Sequence, residues 1–163
     1  MCRRLAVLWL LAASTCVQAQ WSTTSLDSAV NSSAKVHNDS GAYLQIFLTS
    51  GNQLVGEFKL GPGLLSLDPV TCPTLQIDQN LPEDFNLAKH QCAIRGDLAR
   101  FLLTVIGEHQ VDSKTFLELM NGNRLVIRYR LQGAGYGQQE FSLKGSKQVL
   151  KATLPHETVV IGD

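Results

Sequence analysis

The chain has 163 residues, 14 basic and 14 acidic side chains and a hydrophobic fraction of 44%. That is enough apolar material for one domain with a single core. The balanced charge lacks the basic stripe that nucleic-acid binding requires, which excludes that class of partner as an expectation.

Residues 1–19 begin with Arg3 and Arg4, run apolar from Leu5 to Ala13 and end in Val17-Gln18-Ala19, with small residues at the cleavage positions. This is the pattern of a secretory signal peptide cleaved after Ala19, leaving Gln20 as the mature N-terminus. Its apolar run is short of the roughly 20 residues that span a bilayer. A lipid anchor at Cys16 is disfavoured by Thr15, which stands where lipid attachment takes Gly, Ala or Ser. Cleavage removes Arg3 and Arg4 and no acidic residue, leaving 144 residues with 12 basic and 14 acidic side chains, a net charge of −2. Cys2 and Cys16 leave with the signal. The remaining even pair, Cys72 and Cys92, is most simply one disulfide in an exported protein. The alternative is a metal pair joined by His90, although two Cys and one His without a close-spaced second pair make a poor zinc signature.

Residues 20–41 are polar and rich in Ser and Asn, which predicts an N-terminal arm or edge segment ahead of a β-rich domain at 42–163. The sequons Asn31-Ser32-Ser33 and Asn38-Asp39-Ser40 would carry glycans in a eukaryotic secreted protein and mean nothing in a bacterial one. From Tyr43, "YLQIFLT" and "NQLVGEFKL" alternate apolar and polar residues around Gly51-Asn52, predicting a hairpin. "LLSLD" reads as a short strand, "DPVTCPTLQID" as another, and "NLPEDFNLAK" as a loop.

Leu98, Phe101, Leu102 and Val105 are spaced i, i+3, i+4, i+7, predicting a helix capped by Asp97 and stopped at Gly107. "KTFLELM" and "RLVIRYRL" flank Asn121-Gly122-Asn123, predicting a second hairpin. Leu125, Ile127, Tyr129 and Leu131 share one face of its second strand. "EFSL" predicts a strand, Ser146 an N-cap for a last short helix, and "TVVIG" a terminal strand. The fold class expected is mainly β, an antiparallel sandwich or partly closed sheet with one or two short helices.

Arg95-Gly96-Asp97 is the tripeptide that integrin-binding adhesins display, but a carboxylate committed to a helix cap is not free for a receptor, so the expectation is structural. Gly133-Ala134-Gly135-Tyr136-Gly137 misses the spacing of a phosphate loop and precedes a strand rather than a helix; it reads as a hairpin connection whose Tyr136 can contact a partner. Arg124, Arg128 and Arg130 form the densest positive feature, expected to be a solvated face answered by Glu118 across the hairpin, with an acidic-partner surface as the alternative. His37, His90, His109 and His156 are scattered, with no metal-ligand spacing, no cofactor motif and no nucleophile, base and orienter in sight. Catalysis is therefore not expected; a small hydrolase with an unrecognised site is the residual alternative.

"LQIFLTSGNQLVGEFKL", "LLSLD", "QCAIRGDLARFLLTVIG", "NGNRLVIRYRL" and "FSLKGSKQVLKAT" occur in an order that resembles the bacterial invasion-associated locus B family over about residues 42–152. The resemblance implies an exported β-rich periplasmic or envelope protein without known catalysis, in some members linked to host-cell invasion. Family members carry an early cysteine pair near a leading Trp, whereas Trp21 has no Cys companion here, and their central pair is closer in sequence than Cys72 and Cys92. The expected function is a non-enzymatic binding or interaction module for an unidentified protein or envelope component. A surface adhesin using Arg95-Gly96-Asp97 is the alternative, and a free strand edge offers a route to a homo-oligomer.

Overall fold

In the computed structural model, the described residues are 20–26, 30–63, 65–133 and 135–162, so the expected signal segment lies outside them. The described residues build two antiparallel sheets. The larger contains β1 (Ser22–Leu26), β2 (Val30–His37), β3 (Tyr43–Leu48), β4 (Gln53–Lys59), β7 (Cys92–Arg95) and β8 (Leu98–Val105) in the order β1-β2-β3-β4-β8-β7. The smaller contains β5 (Thr74–Ile77), β6 (Glu83–Asp84), β10 (Arg124–Leu131) and β11 (Gly135–Ser142) in the order β11-β10-β5-β6. A short parallel pair joins β9 (Gln110–Val111) to β12 (Val159–Val160).

The sheets share one core. Leu44, Ile46, Phe58 and Phe101 face it from the first sheet, and Leu75, Ile77, Leu125, Ile127 and Phe141 from the second. Phe58 sits at the junction, edge-on to Phe141 at 6.3 Å and 5.5 Å from the ring of Tyr129. These contacts are the aromatic geometry expected of interdigitating sheet faces. The mainly β architecture is thus what the alternation predicted, and the described residues hold two short helices, one of them not where the sequence placed it.

The β3–β4 hairpin forms where expected. Thr49 N–H bonds to Gln53 O at 2.9 Å, Asn52 N–H bonds back to Thr49 O at 3.1 Å, and Asn52 takes the left-handed conformation (φ 56°) that Asn tolerates better than most residues. Of the two readings of 20–41, the structure has the edge segment: β1 is an edge strand and β2 its neighbour, with Ala34 and Val36 buried and the Ser33 hydroxyl satisfied, donating to Thr24 O and accepting from Gln45.

Two elements change type. Residues 98–105 form β8 instead of a helix, paired with β4 on one side and β7 on the other. The pairing jumps from Val55↔Leu102 to Leu54↔Thr104, leaving Leu103 as a bulge. That extra residue breaks the period-2 alternation and mimics helical spacing in the sequence. Conversely, "KTFLELM" is not a strand but part of α1 (Lys114–Asn121), capped by Ser113, whose hydroxyl accepts from Phe116 N–H at 3.3 Å. Phe116, Leu119 and Met120 bury its inner face, and Gly122 ends the helix rather than turning a hairpin. A Cβ at Gly122 would come within 2.5 Å of Ile77 and 2.8 Å of Glu118 O, so only Gly fits there.

Smaller corrections follow from local geometry. Among its described residues, "LLSLD" contributes a single bridge, Leu67 to Leu131, and Cys72 lies just ahead of β5. The predicted 80–89 loop holds the two-residue β6 and a 3-10 turn at Leu87–Lys89 capped by Asn86. Ser146 does not cap α2 (Ser146–Lys151): Gly145 occupies that position at φ 82°, and the buried Ser146 hydroxyl donates to Leu119 O at 2.7 Å, tying α2 to the end of α1.

Candidate interaction surface

Arg95-Gly96-Asp97 lies at a tight turn. Arg95 and Leu98 are register partners of β7 and β8, so Gly96 and Asp97 are the two central residues of the connection. Gly96 has φ 60°, the left-handed conformation that a Gly-first two-residue hairpin needs, while Asp97 stays in the ordinary region. Asp97 therefore caps no helix. Arg95 and Gly96 are exposed, and the Asp97 carboxylate, 41% exposed, faces Lys59 Nζ at 3.7 Å. The turn is pinned to its neighbours: Leu60 N–H donates to Asp97 O at 2.9 Å, and Leu67 N–H to Gly96 O at 2.8 Å. The disulfide between Cys72 and Cys92 anchors the base of the same hairpin to the segment that leads into β5, clasping one sheet to the other. The cysteines are therefore not free to serve with His90 as metal ligands.

Across the outer face of the larger sheet, the strand registers assemble a polar network that the sequence did not reveal. Glu57 is 8% exposed and accepts Arg100 Nε at 2.7 Å and the Tyr43 hydroxyl at 3.1 Å. Lys35 Nζ lies 3.7 Å above the Tyr43 ring, and the His37 ring is 5.6 Å from it. Burial, followed by the charge and hydrogen bond of Glu57, pushes the Tyr43 phenol up to about 12. Burial first and Lys35 second lower His37 below its ordinary value. Beside this network, Phe47, Val55 and Leu102 line an open groove of about 230 Å³, with Arg100, His90 and Gln91 among its polar residues.

The three arginines of β10 do project from the sheet, as expected, but each has a partner. Arg124 meets Glu140 at 3.3 Å, Arg128 donates to Gln76 at 2.7 Å, and Arg130 meets Asp68 at 3.5 Å while lying 5.9 Å from the Tyr136 ring. Glu118 does not answer them; it pairs with Lys114 one helical turn back, at 3.6 Å. The positive feature is thus largely compensated along its own sheet. Tyr136, in contrast, stands 82% exposed near the start of β11.

The remaining histidines stay apart: His90 ends the 3-10 turn, His109 occupies the turn before β9, and His156 is exposed. Among the described residues, no group of three or more His, Cys, Asp or Glu side chains could hold a metal ion. No protein-family model, curated protein or solved structure matches the chain.

Proposed function

We propose that the protein is a non-enzymatic interaction module that works outside the cytoplasm, in the bacterial periplasm or envelope. The observation that carries this reading is the clasp between Cys72 and Cys92, which joins the two sheets of a β-rich domain. Such bonds form and persist in oxidising compartments. The groups available for contact stand at a hairpin tip, a strand end and an open sheet face: Arg95 and Gly96 at one turn, Tyr136 near the start of β11, and the groove lined by Arg100. The resemblance to the invasion-associated locus B proteins and the signal-like segment 1–19 point the same way. Fractionating the native host and sequencing the N-terminus tests it: a mature chain starting at Gln20 outside the cytoplasm is expected, and an uncleaved cytoplasmic chain would overturn it.

A second reading, a surface adhesin, gains one specific observation. Arg95-Gly96-Asp97 sits at an exposed hairpin turn and not in a helix. Its test is attachment of integrin-bearing cells to the immobilised protein, with loss on Asp97→Glu expected; attachment that is absent, or indifferent to Asp97→Glu, removes the adhesin reading.

A further inference from the structure

We propose that two copies of the chain associate about a two-fold axis by pairing β11 with β11, centred on Gly137. The inference starts from hydrogen-bond parity. Leu143 N–H bonds to Asn123 O at 2.9 Å, and the register runs without a shift from Arg124↔Ser142 to Leu131↔Gly135. In an antiparallel ladder this fixes the odd residues of β11 as those bonded to β10 and turns the main-chain groups of residues 136, 138, 140 and 142 away from it.

Half of that edge is covered. Asn38 Nδ2 donates to Glu140 O at 3.3 Å and Trp21 Nε1 donates to Ser142 O at 2.9 Å. The other half is open: among the described residues, the outward N–H and C=O of Tyr136 and Gln138 have no partner. Natural sheets blunt such edges with charge, proline or a bulge. Gly135-Tyr136-Gly137-Gln138-Gln139 has none of these, and its ladder is regular.

The open stretch is short and matches itself. A two-fold axis at Gly137 sets Tyr136 opposite Gln138 of the second copy, and Gln138 opposite Tyr136, which makes four main-chain hydrogen bonds from outward-facing groups. Gly137 then meets Gly137 as the non-hydrogen-bonded pair, where strands approach most closely, at about 4.5 Å between Cα atoms. The missing side chain there is enforced from within, because a Cβ on Gly137 would lie 2.6 Å from the Tyr129 ring. Tyr136 gains the Gln138 side chain of the second copy as its cross-strand neighbour.

The caps select the occupant. A longer peptide adding to this edge would meet Asn38 at Glu140 and Trp21 at Ser142. A second β11 running antiparallel begins at its own Gly135, opposite Gln139, and therefore stops where Asn38 begins. The association depends neither on the compartment nor on what the module binds.

Sedimentation velocity over a concentration series tests the proposal with wild type, Gln138→Pro and Gln138→Ser. Gln138→Pro deletes an outward N–H and no bond to β10. Wild type and Gln138→Ser are expected to move toward dimer as concentration rises, and Gln138→Pro to remain monomeric with unchanged circular dichroism. A wild type that stays monomeric throughout, or a Gln138→Pro chain that still dimerises, overturns the proposal. Should Gln138→Pro fail to fold, amide exchange in the wild type decides. The Tyr136 and Gln138 amides slow with concentration if the edges pair, and rates independent of concentration rule the pairing out.

Discussion

The indole N–H of Trp21 donates to the main-chain carbonyl of Ser142 at 2.9 Å, bridging residues 121 positions apart and tying the start of the larger sheet to the edge of the smaller one. Trp21 is 5% exposed, so the contact combines a hydrogen bond with a buried ring. Trp21→Phe keeps most of the ring and loses the bond, and is expected to cost about 1 kcal/mol. Trp21→Ala also empties the site and is expected to cost about 3–5 kcal/mol. Urea denaturation followed by circular dichroism measures both.

Asp97→Ala separates the hairpin from the helix expected in the sequence. A lost helix cap costs about 0.5–2 kcal/mol. In the turn, the carboxylate has only the half-exposed pair with Lys59, worth about 0–1 kcal/mol. A change at the low end, reduced further by salt, is expected in equilibrium unfolding. Gly96→Ala, forced to hold φ 60°, should destabilise more than Asp97→Ala.

Glu108 and His109 both occupy the left-handed region, at φ 49° and 61°, in the turn closed by Gln110 N–H to Gly107 O at 2.8 Å. A two-residue turn of this kind favours Asn-Gly, and each non-Gly residue there carries strain. His109→Gly is expected to stabilise the fold by about 1 kcal/mol, read as a higher urea midpoint with an unchanged slope.

Tyr43 provides a pH signature. Its folded pKa, near 12, is raised above the unfolded value of 10.0, so the folded state holds the proton longer. The resulting stability is fully present below pH 10 and is lost as pH rises toward 12. Glu57→Gln removes the charge that opposes ionisation and should bring the phenol down, seen in the difference ultraviolet titration against Tyr43→Phe. His37 acts at the other end: its folded pKa lies below 6.5, so stability present above that pH falls as the solution is acidified through the folded value.

The sequence carried the fold class because β3 alternates cleanly and the large core residues of β4 and β10, Leu54 and Phe58, and Leu125, Ile127 and Tyr129, fall at even spacing on one face, as a pleated strand with one buried face requires. It misled at β8, where the Leu103 bulge replaced alternation with a helical spacing, and at α1, where Asn-Gly imitated a hairpin although Ser113 and the spacing of Phe116, Leu119 and Met120 signalled a helix. The individual site residues were visible as residue types. Their relationships were not: Glu57 meets Tyr43 and Arg100 only through the register of three strands, and the capped and open halves of β11 depend on contacts from Asn38 and Trp21 a hundred residues away.

The state of Cys72 and Cys92 in the living host tests the central claim most directly. Cells are quenched in acid, free thiols are alkylated before reduction with one reagent and after reduction with a second, and the peptides are read by mass spectrometry. Labelling of both cysteines only after reduction, in protein recovered outside the cytoplasm, is the result expected of an extracytoplasmic module held by its disulfide. Labelling of both as free thiols before reduction, in cytoplasmic protein, would contradict it.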